Sequence, residues 1–191
     1  MQPQTMRLVA YTLAVIAAGI VALFYVTRLS HVHEAGPPPA LAKLKLEPKP
    51  VAISSVVFSD AAGGLHRLSD YRGRYLLLNL WATWCAPCVK ELPALAGLRR
   101  GMDDKSFAVV AVDVGRDSAE EAGKFLQSHK AGALTVYRDT NSAFLRSFGA
   151  YGLPMTVLID PQGREVARAM GAVQWDDNDA IAYFRSLAAK H

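Results

Sequence analysis

Cysteine is almost absent from this chain. Of 191 residues only Cys85 and Cys88 carry a thiol, and two residues separate them. That scarcity excludes a disulfide-stapled scaffold. It also argues against a structural zinc site, which needs a second Cys pair or a His pair at ligand spacing. A closed Cys85–Cys88 bond would span so short a loop that it removes little unfolded-chain entropy, so a purely structural bridge is a poor use of it. Excess charge is missing too. Residues 1–50 hold five Lys/Arg against two Glu, a surplus of three; residues 51–191 hold sixteen against fifteen Asp/Glu, a surplus of one. The pI near 9.1 therefore comes largely from the N-terminal stretch, and the nearly neutral remainder does not suit nucleic acid. No repeat of 20–50 residues is visible.

What the chain does contain begins with an uncharged run. Leu8 to Thr27 is twenty residues without Asp, Glu, Lys or Arg, closed by Arg28. At 1.5 Å per residue such a helix spans a hydrocarbon core of roughly 30 Å. A cleaved signal is the rival reading, but its apolar region is usually shorter and is followed by a small-residue cleavage site, which is missing just beyond this run. Residues 1–28 are thus expected to be a membrane anchor. Its orientation is not given by flanking charge, because Arg28, Lys43, Lys45 and Lys49 follow the span and only Arg7 precedes it. Residues 29–50 carry half of the ten prolines and read as a semi-rigid spacer. His31 and His33 in that spacer form a His-x-His pair, read as incidental solvated side chains.

From Val51 onward the pattern becomes that of a folded domain. Val51–Phe58 and Leu65–Leu68 flank the turn Ala61-Ala62-Gly63-Gly64 and predict a hairpin. Tyr75–Trp81 and Phe107–Val114 are apolar runs expected of strands buried on both faces. Helical spacing follows the cysteines to Arg100, with Pro93 expected to kink it. Ser118-Ala119-Glu120-Glu121 fits a capping box, Leu134–Tyr137 reads as a brief strand, and Asn141 is a candidate cap for a short helix through Phe148. Thr156–Asp160 and Glu165–Met170 predict a second hairpin, and Asp176, Asp177 and Asp179 crowd the start of a last helix.

The chemistry falls on Trp84-Cys85-Ala86-Pro87-Cys88, where a strand gives way to a helix. A helix N-terminus carries about half a positive charge and unpaired N–H groups, which favour a thiolate. Cys85 is read as the nucleophile. Cys88, one turn on, is read as the resolving thiol. Pro87 sits in the first turn, where its missing N–H costs little. Trp84 is a candidate for the partner-docking surface, and Trp81 reads as a core aromatic.

The run LLLNLWATWCAPCVKELP resembles the active-site region of the TlpA-type, membrane-anchored, thioredoxin-like thiol:disulfide oxidoreductases (the TlpA, ResA and CcmG group). The resemblance extends from about Val51 to the C-terminus and includes Gly152-Leu153-Pro154-Met155-Thr156 and Asp160-Pro161-Gln162-Gly163. It implies an α/β, thioredoxin-like fold over residues 51–191: a central mixed sheet flanked by helices, with an extra N-terminal β-hairpin and a single transmembrane helix before it. It also implies that Pro154 is cis and faces the dithiol, and that the backbone of Leu153 pairs with a bound partner. Ala86 and Pro87 tune the potential in such proteins. No cofactor or metal is implied beyond the Cys85–Cys88 couple itself.

The same resemblance implies a monomer on the bacterial inner membrane with its domain in the periplasm. It implies reduction by a membrane thiol carrier of the DsbD or CcdA type. Protein disulfides are the implied substrates, in copper-handling proteins of cytochrome oxidase assembly, with apocytochrome c as the alternative. Met155 stands where cytochrome c maturation relatives often carry Glu, which favours the first. Asn79 stands where thioredoxin itself has a buried Asp, so another group must take the resolving thiol's proton. Glu91 or water is left to serve, and Glu91 is expected to be a surface charge on the helix. A copper chaperone using both thiolates is the binding-class rival. A thiol peroxidase is a weaker one, since Ala82 occupies the position where such enzymes usually have Thr.

Overall fold

The computed structural model describes residues 13, 16–20, 36–53 and 55–190. Two units divide the chain at residues 36 and 37. In the first, residues 16–20 are helical and exposed; the expected anchor over 8–27 otherwise lies outside the described residues. Among those described, no helix is long and apolar enough to cross a membrane.

The second unit is built on one eight-stranded mixed sheet. Its strands are β1 (Lys45–Ala52), β2 (Val57–Asp60), β3 (Leu65–Arg67), β4 (Tyr75–Trp81), β5 (Phe107–Asp113), β6 (Tyr137–Arg138), β7 (Met155–Ile159) and β8 (Arg164–Met170). They lie in the order β1-β8-β7-β4-β5-β6-β2-β3. β4 pairs in parallel with β5, and β5 with β6; the other pairs are antiparallel. The helices are α1 (Ala86–Gly101), α2 (Ala119–Ser128), α3 (Ala143–Ser147) and α4 (Asn178–Ala188).

Strand period decides which side chains enter which layer. Leu77 and Trp81 of β4 join one apolar cluster with Leu92, Leu95 and Leu98 of α1 and Phe184 of α4. Leu76, Leu78 and Leu80 point the other way and join Phe58, Phe144 and Phe148. β4 is therefore buried on both faces, as an apolar run without clear alternation predicts, and the loop that leaves it rests on a rigid support.

Three boundaries differ from the sequence reading. The spacer expected over 29–50 gives way at Pro37, where the second unit starts, and β1 begins at Lys45 inside it. Pro48 and Pro50 fit there because β1 is an edge strand, and its pairing with β8 is irregular between Leu46 and Val51. The single strand expected over Val51–Phe58 is consequently two, β1 and β2. Finally, Asn141 does not cap α3. The preceding Ser142 sits at φ 53°, and buried Asp139 accepts from the backbone N–H groups of Asn141 and Phe144 at 3.2 and 2.7 Å.

Other elements follow their local chemistry. Ser118 and Glu121 form the reciprocal capping box at α2, and Asp177 caps α4. Pro93 is accommodated inside α1, which runs unbroken through it. The β2–β3 hairpin closes through Asp60, whose Oδ1 accepts from Ala62 and Gly64 N–H.

Candidate active site

The site forms where β4 ends. Residues 82–85 leave the strand and turn into α1, and two hydrogen bonds fix the turn: Val114 N–H donates to the Trp81 carbonyl at 2.9 Å and Cys85 N–H to Ala82 at 3.1 Å. Thr83 Oγ1 donates to Asp117 Oδ2 at 2.8 Å, tying the loop to the segment after β5. Cys85 is the N-cap of α1, and its Sγ accepts from Cys88 N–H at 3.2 Å. The sulfur thus does what a Ser or Asp cap oxygen does, and the same N–H would stabilise a thiolate there in the reduced protein.

Cys85 and Cys88 are joined in a disulfide, with Cα atoms 5.2 Å apart. Cys85 keeps 4% of its surface and Cys88 none. An approaching sulfur finds only a narrow window, and it opens on Cys85. Trp84 beside them is 72% exposed, whereas Trp81 is 1% exposed and stacks on Phe125. Ala86 and Pro87 both face solvent in the first turn.

Pro154 reaches the same end of the sheet through β7. Leu80 and Met155 are paired across β4 and β7, so the residue before Met155 stands beside the loop that leaves β4. The Leu153–Pro154 bond is cis. Pro154 is buried and Leu153 half-buried, with Leu153 packed against the cluster that contains both cysteines. The Pro154 carbonyl accepts from Gly171 at 2.8 Å. Leu153 makes no backbone hydrogen bond to another described residue.

Glu91 overturns the expectation of a surface charge. It is 2% exposed. Its Oε1 accepts from Asn79 Nδ2 at 2.7 Å, and its Oε2 from Val173 N–H at 3.0 Å and Trp175 Nε1 at 3.1 Å. Burial pushes its carboxyl up to about 7, against the pull of those three donors and of Lys43. Helical geometry explains the placement. Cys88, Glu91, Leu92 and Leu95 are spaced three, four and seven apart and share the buried face of α1. That spacing was visible in the sequence. The shell around Glu91 was not, because Val173 and Trp175 come from a segment over eighty residues away.

The fold and this dithiol define a thioredoxin-like protein with the site of a thiol–disulfide oxidoreductase. The chain belongs to the AhpC/TSA family, whose model matches residues 49–177. It is 34% identical over 117 residues to the thiol-disulfide oxidoreductase ResA of Bacillus subtilis, covering 61% of this chain and 64% of that one. Against ResA of Geobacillus thermodenitrificans it is 33% identical over 121 residues, covering 63% and 68%. The crystal structure of the thiol:disulfide interchange protein DsbE from Chlorobium tepidum aligns with a TM-score of 0.63 and 29% identity, covering 75% of this chain and 98% of that one.

Proposed function

We propose that the chain is a membrane-anchored reductant of protein disulfides, working outside the cytoplasm. The reading is carried by Cys85 as helix cap with Cys88 fully buried behind it. In the reduced protein Cys85 loses its proton first, favoured by the helix N-terminus and the Cys88 N–H. Its thiolate attacks a substrate disulfide; a mixed disulfide forms and one substrate sulfur leaves as thiolate. Glu91, one helical turn from Cys88, accepts the proton of the Cys88 thiol. The Cys88 thiolate then attacks Cys85 Sγ, expelling the second substrate sulfur. Two electrons pass to the substrate and the Cys85–Cys88 disulfide is left, to be reduced again by a membrane thiol carrier of the DsbD or CcdA type.

Copper-handling proteins of cytochrome oxidase assembly are the proposed substrates. Met155 supports this over apocytochrome c, the second reading. The exposed face around Trp84 and the backbone of Leu153, unpaired among the described residues, suit an extended protein segment on either reading. The test is capture: Cys88→Ser should accumulate a mixed disulfide through Cys85 in cells, and the captured protein should be a copper-handling one. Apocytochrome c in its place would select the alternative. Stoichiometric Cu(I) binding without any disulfide reductase activity would instead favour a metallochaperone. A membrane-impermeant thiol reagent that labels Cys85 in intact cells supports the outward orientation; labelling only after lysis refutes it.

A further inference from the structure

Among the described residues the Glu91 carboxylate is met by N–H donors alone. Val173 N–H and Trp175 Nε1 donate to Oε2, and Asn79 Nδ2 donates to Oε1. This shell suits the ionised acid. A protonated Glu91 would have an O–H to place, and neither a backbone N–H nor an indole can accept it. The Lys43 ammonium favours the ionised Glu91 from outside the helix and itself donates to the Ala172 carbonyl at 2.8 Å; it cannot accept either.

Asn79 is different. Its amide also carries an acceptor, Oδ1, which is buried without a hydrogen-bond partner among the described residues. The residue is fully buried on β4, on the same face as Leu77 and Trp81. Its Nδ2 donates to Thr156 Oγ1 at 2.9 Å as well as to Glu91. Thr156 lies on β7, paired with Asn79 and two residues beyond Pro154. A hydroxyl can donate or accept. A half-turn of the amide exchanges Oδ1 and Nδ2, and both bonds then survive with their direction reversed: Glu91 O–H and Thr156 Oγ1–H donate to Oδ1.

The geometry points to Asn79 as a positioning residue that follows the Glu91 proton, its amide donating to the carboxylate and, turned over, accepting from the acid. Glu91 thereby keeps its place one turn from Cys88 in both halves of the redox cycle. An ionised Asp at this position could accept from the acid but could not donate to a second carboxylate. The inference rests on Glu91 as the proton acceptor, and the test separates the two.

In the reduced full-length chain, labelled with 15N and with 13C at the Glu carboxyl carbons, the Asn79 side-chain NH2 signals are identified by their loss in Asn79→Ser. They should shift with pH at the same midpoint as the Glu91 carboxyl carbon. In Glu91→Gln, whose amide imitates the protonated acid, they should be constant between pH 5 and 9. A Glu91 carbon that titrates while the Asn79 amide stays still overturns the Asn79 role and leaves Glu91 standing. A Glu91 carbon that never titrates over that range overturns both. Kinetically, Asn79→Leu should raise the midpoint of the pH–rate profile by up to about one pH unit, because the bond lost from the carboxylate is charge-assisted and the one lost from the acid is the weaker, neutral kind. Asn79→Ser, which keeps a group that donates or accepts, should stay near the wild type. An unmoved midpoint in folded Asn79→Leu also refutes the proposal.

Discussion

The backbone N–H of Cys88 points at the sulfur of Cys85 across 3.2 Å. One bond therefore caps α1 and, on the proposed function, favours Cys85 as the nucleophile. In the reduced protein, iodoacetamide at pH 7 should alkylate Cys85 and spare Cys88, which has no exposed surface. Cys85→Ser should lower disulfide reductase activity to background. Peptide mapping that finds Cys88 labelled first would reverse the assignment.

Glu91 predicts two pH effects of defined sign. Its carboxyl ordinarily ionises near 4.5 and in the fold near 7, so the native state binds the proton more tightly than the unfolded chain. This group's contribution to stability is then greatest at low pH, falls as pH rises from about 4.5 to 7, and is level above. The loss is on the order of 3 kcal/mol, from about 1.4 kcal/mol per pH unit. Glu91→Gln should lack that slope, and chemical denaturation at pH 5 and pH 8 measures the difference. For catalysis the base must be ionised, so wild-type rate should climb through pH 7. Glu91→Gln should be slower at pH 8 by roughly 100-fold, the low end for a positioned base, and retain only the rise that belongs to the Cys85 thiol.

Asp139 predicts a purely structural effect. Its two carboxylate oxygens hold the N–H groups of Asn141 and Phe144 at the entry to α3, and the residue is 3% exposed. Asp139→Ala leaves a buried N–H unpaired and should cost about 1–3 kcal/mol with reductase activity kept below the melting transition. Asn141→Ala, the cap suggested by the sequence, should change stability by less than about 0.5 kcal/mol.

These contrasts trace how far the chain was legible. Where the signal is local it was read well: a strand followed by Cys-x-x-Cys, the reciprocal Ser118–Glu121 cap, the turn at Gly163 between β7 and β8. Where it depends on distant partners it failed. Pro48 and Pro50 argued for a spacer, and only the docking of β1 against β8 at the sheet's edge makes room for them. The charge of Glu91 predicts a surface position, yet the face it shares with Cys88 and Leu92 is buried. Charge is a strong prior for exposure, and it yields when three donors converge on one carboxylate.

Trp84 gives the last prediction. An indole left 72% exposed next to a nearly covered sulfur stabilises nothing inside the fold, so Trp84→Ala should leave the denaturation midpoint within the ±0.5 kcal/mol or so typical of surface changes. If the ring instead packs against a docked chain, its loss should weaken recognition by about 1–3 kcal/mol, the range for a buried aromatic contact at an interface. The comparison is between a protein disulfide and a small one. With intact, disulfide-bonded insulin as substrate KM should rise at least several-fold, while with a small aromatic disulfide such as dithionitrobenzoate, which needs only the sulfur window at Cys85, kcat/KM should hold. Equal losses on both substrates would place Trp84 in the dithiol's own chemistry and remove it from the docking surface.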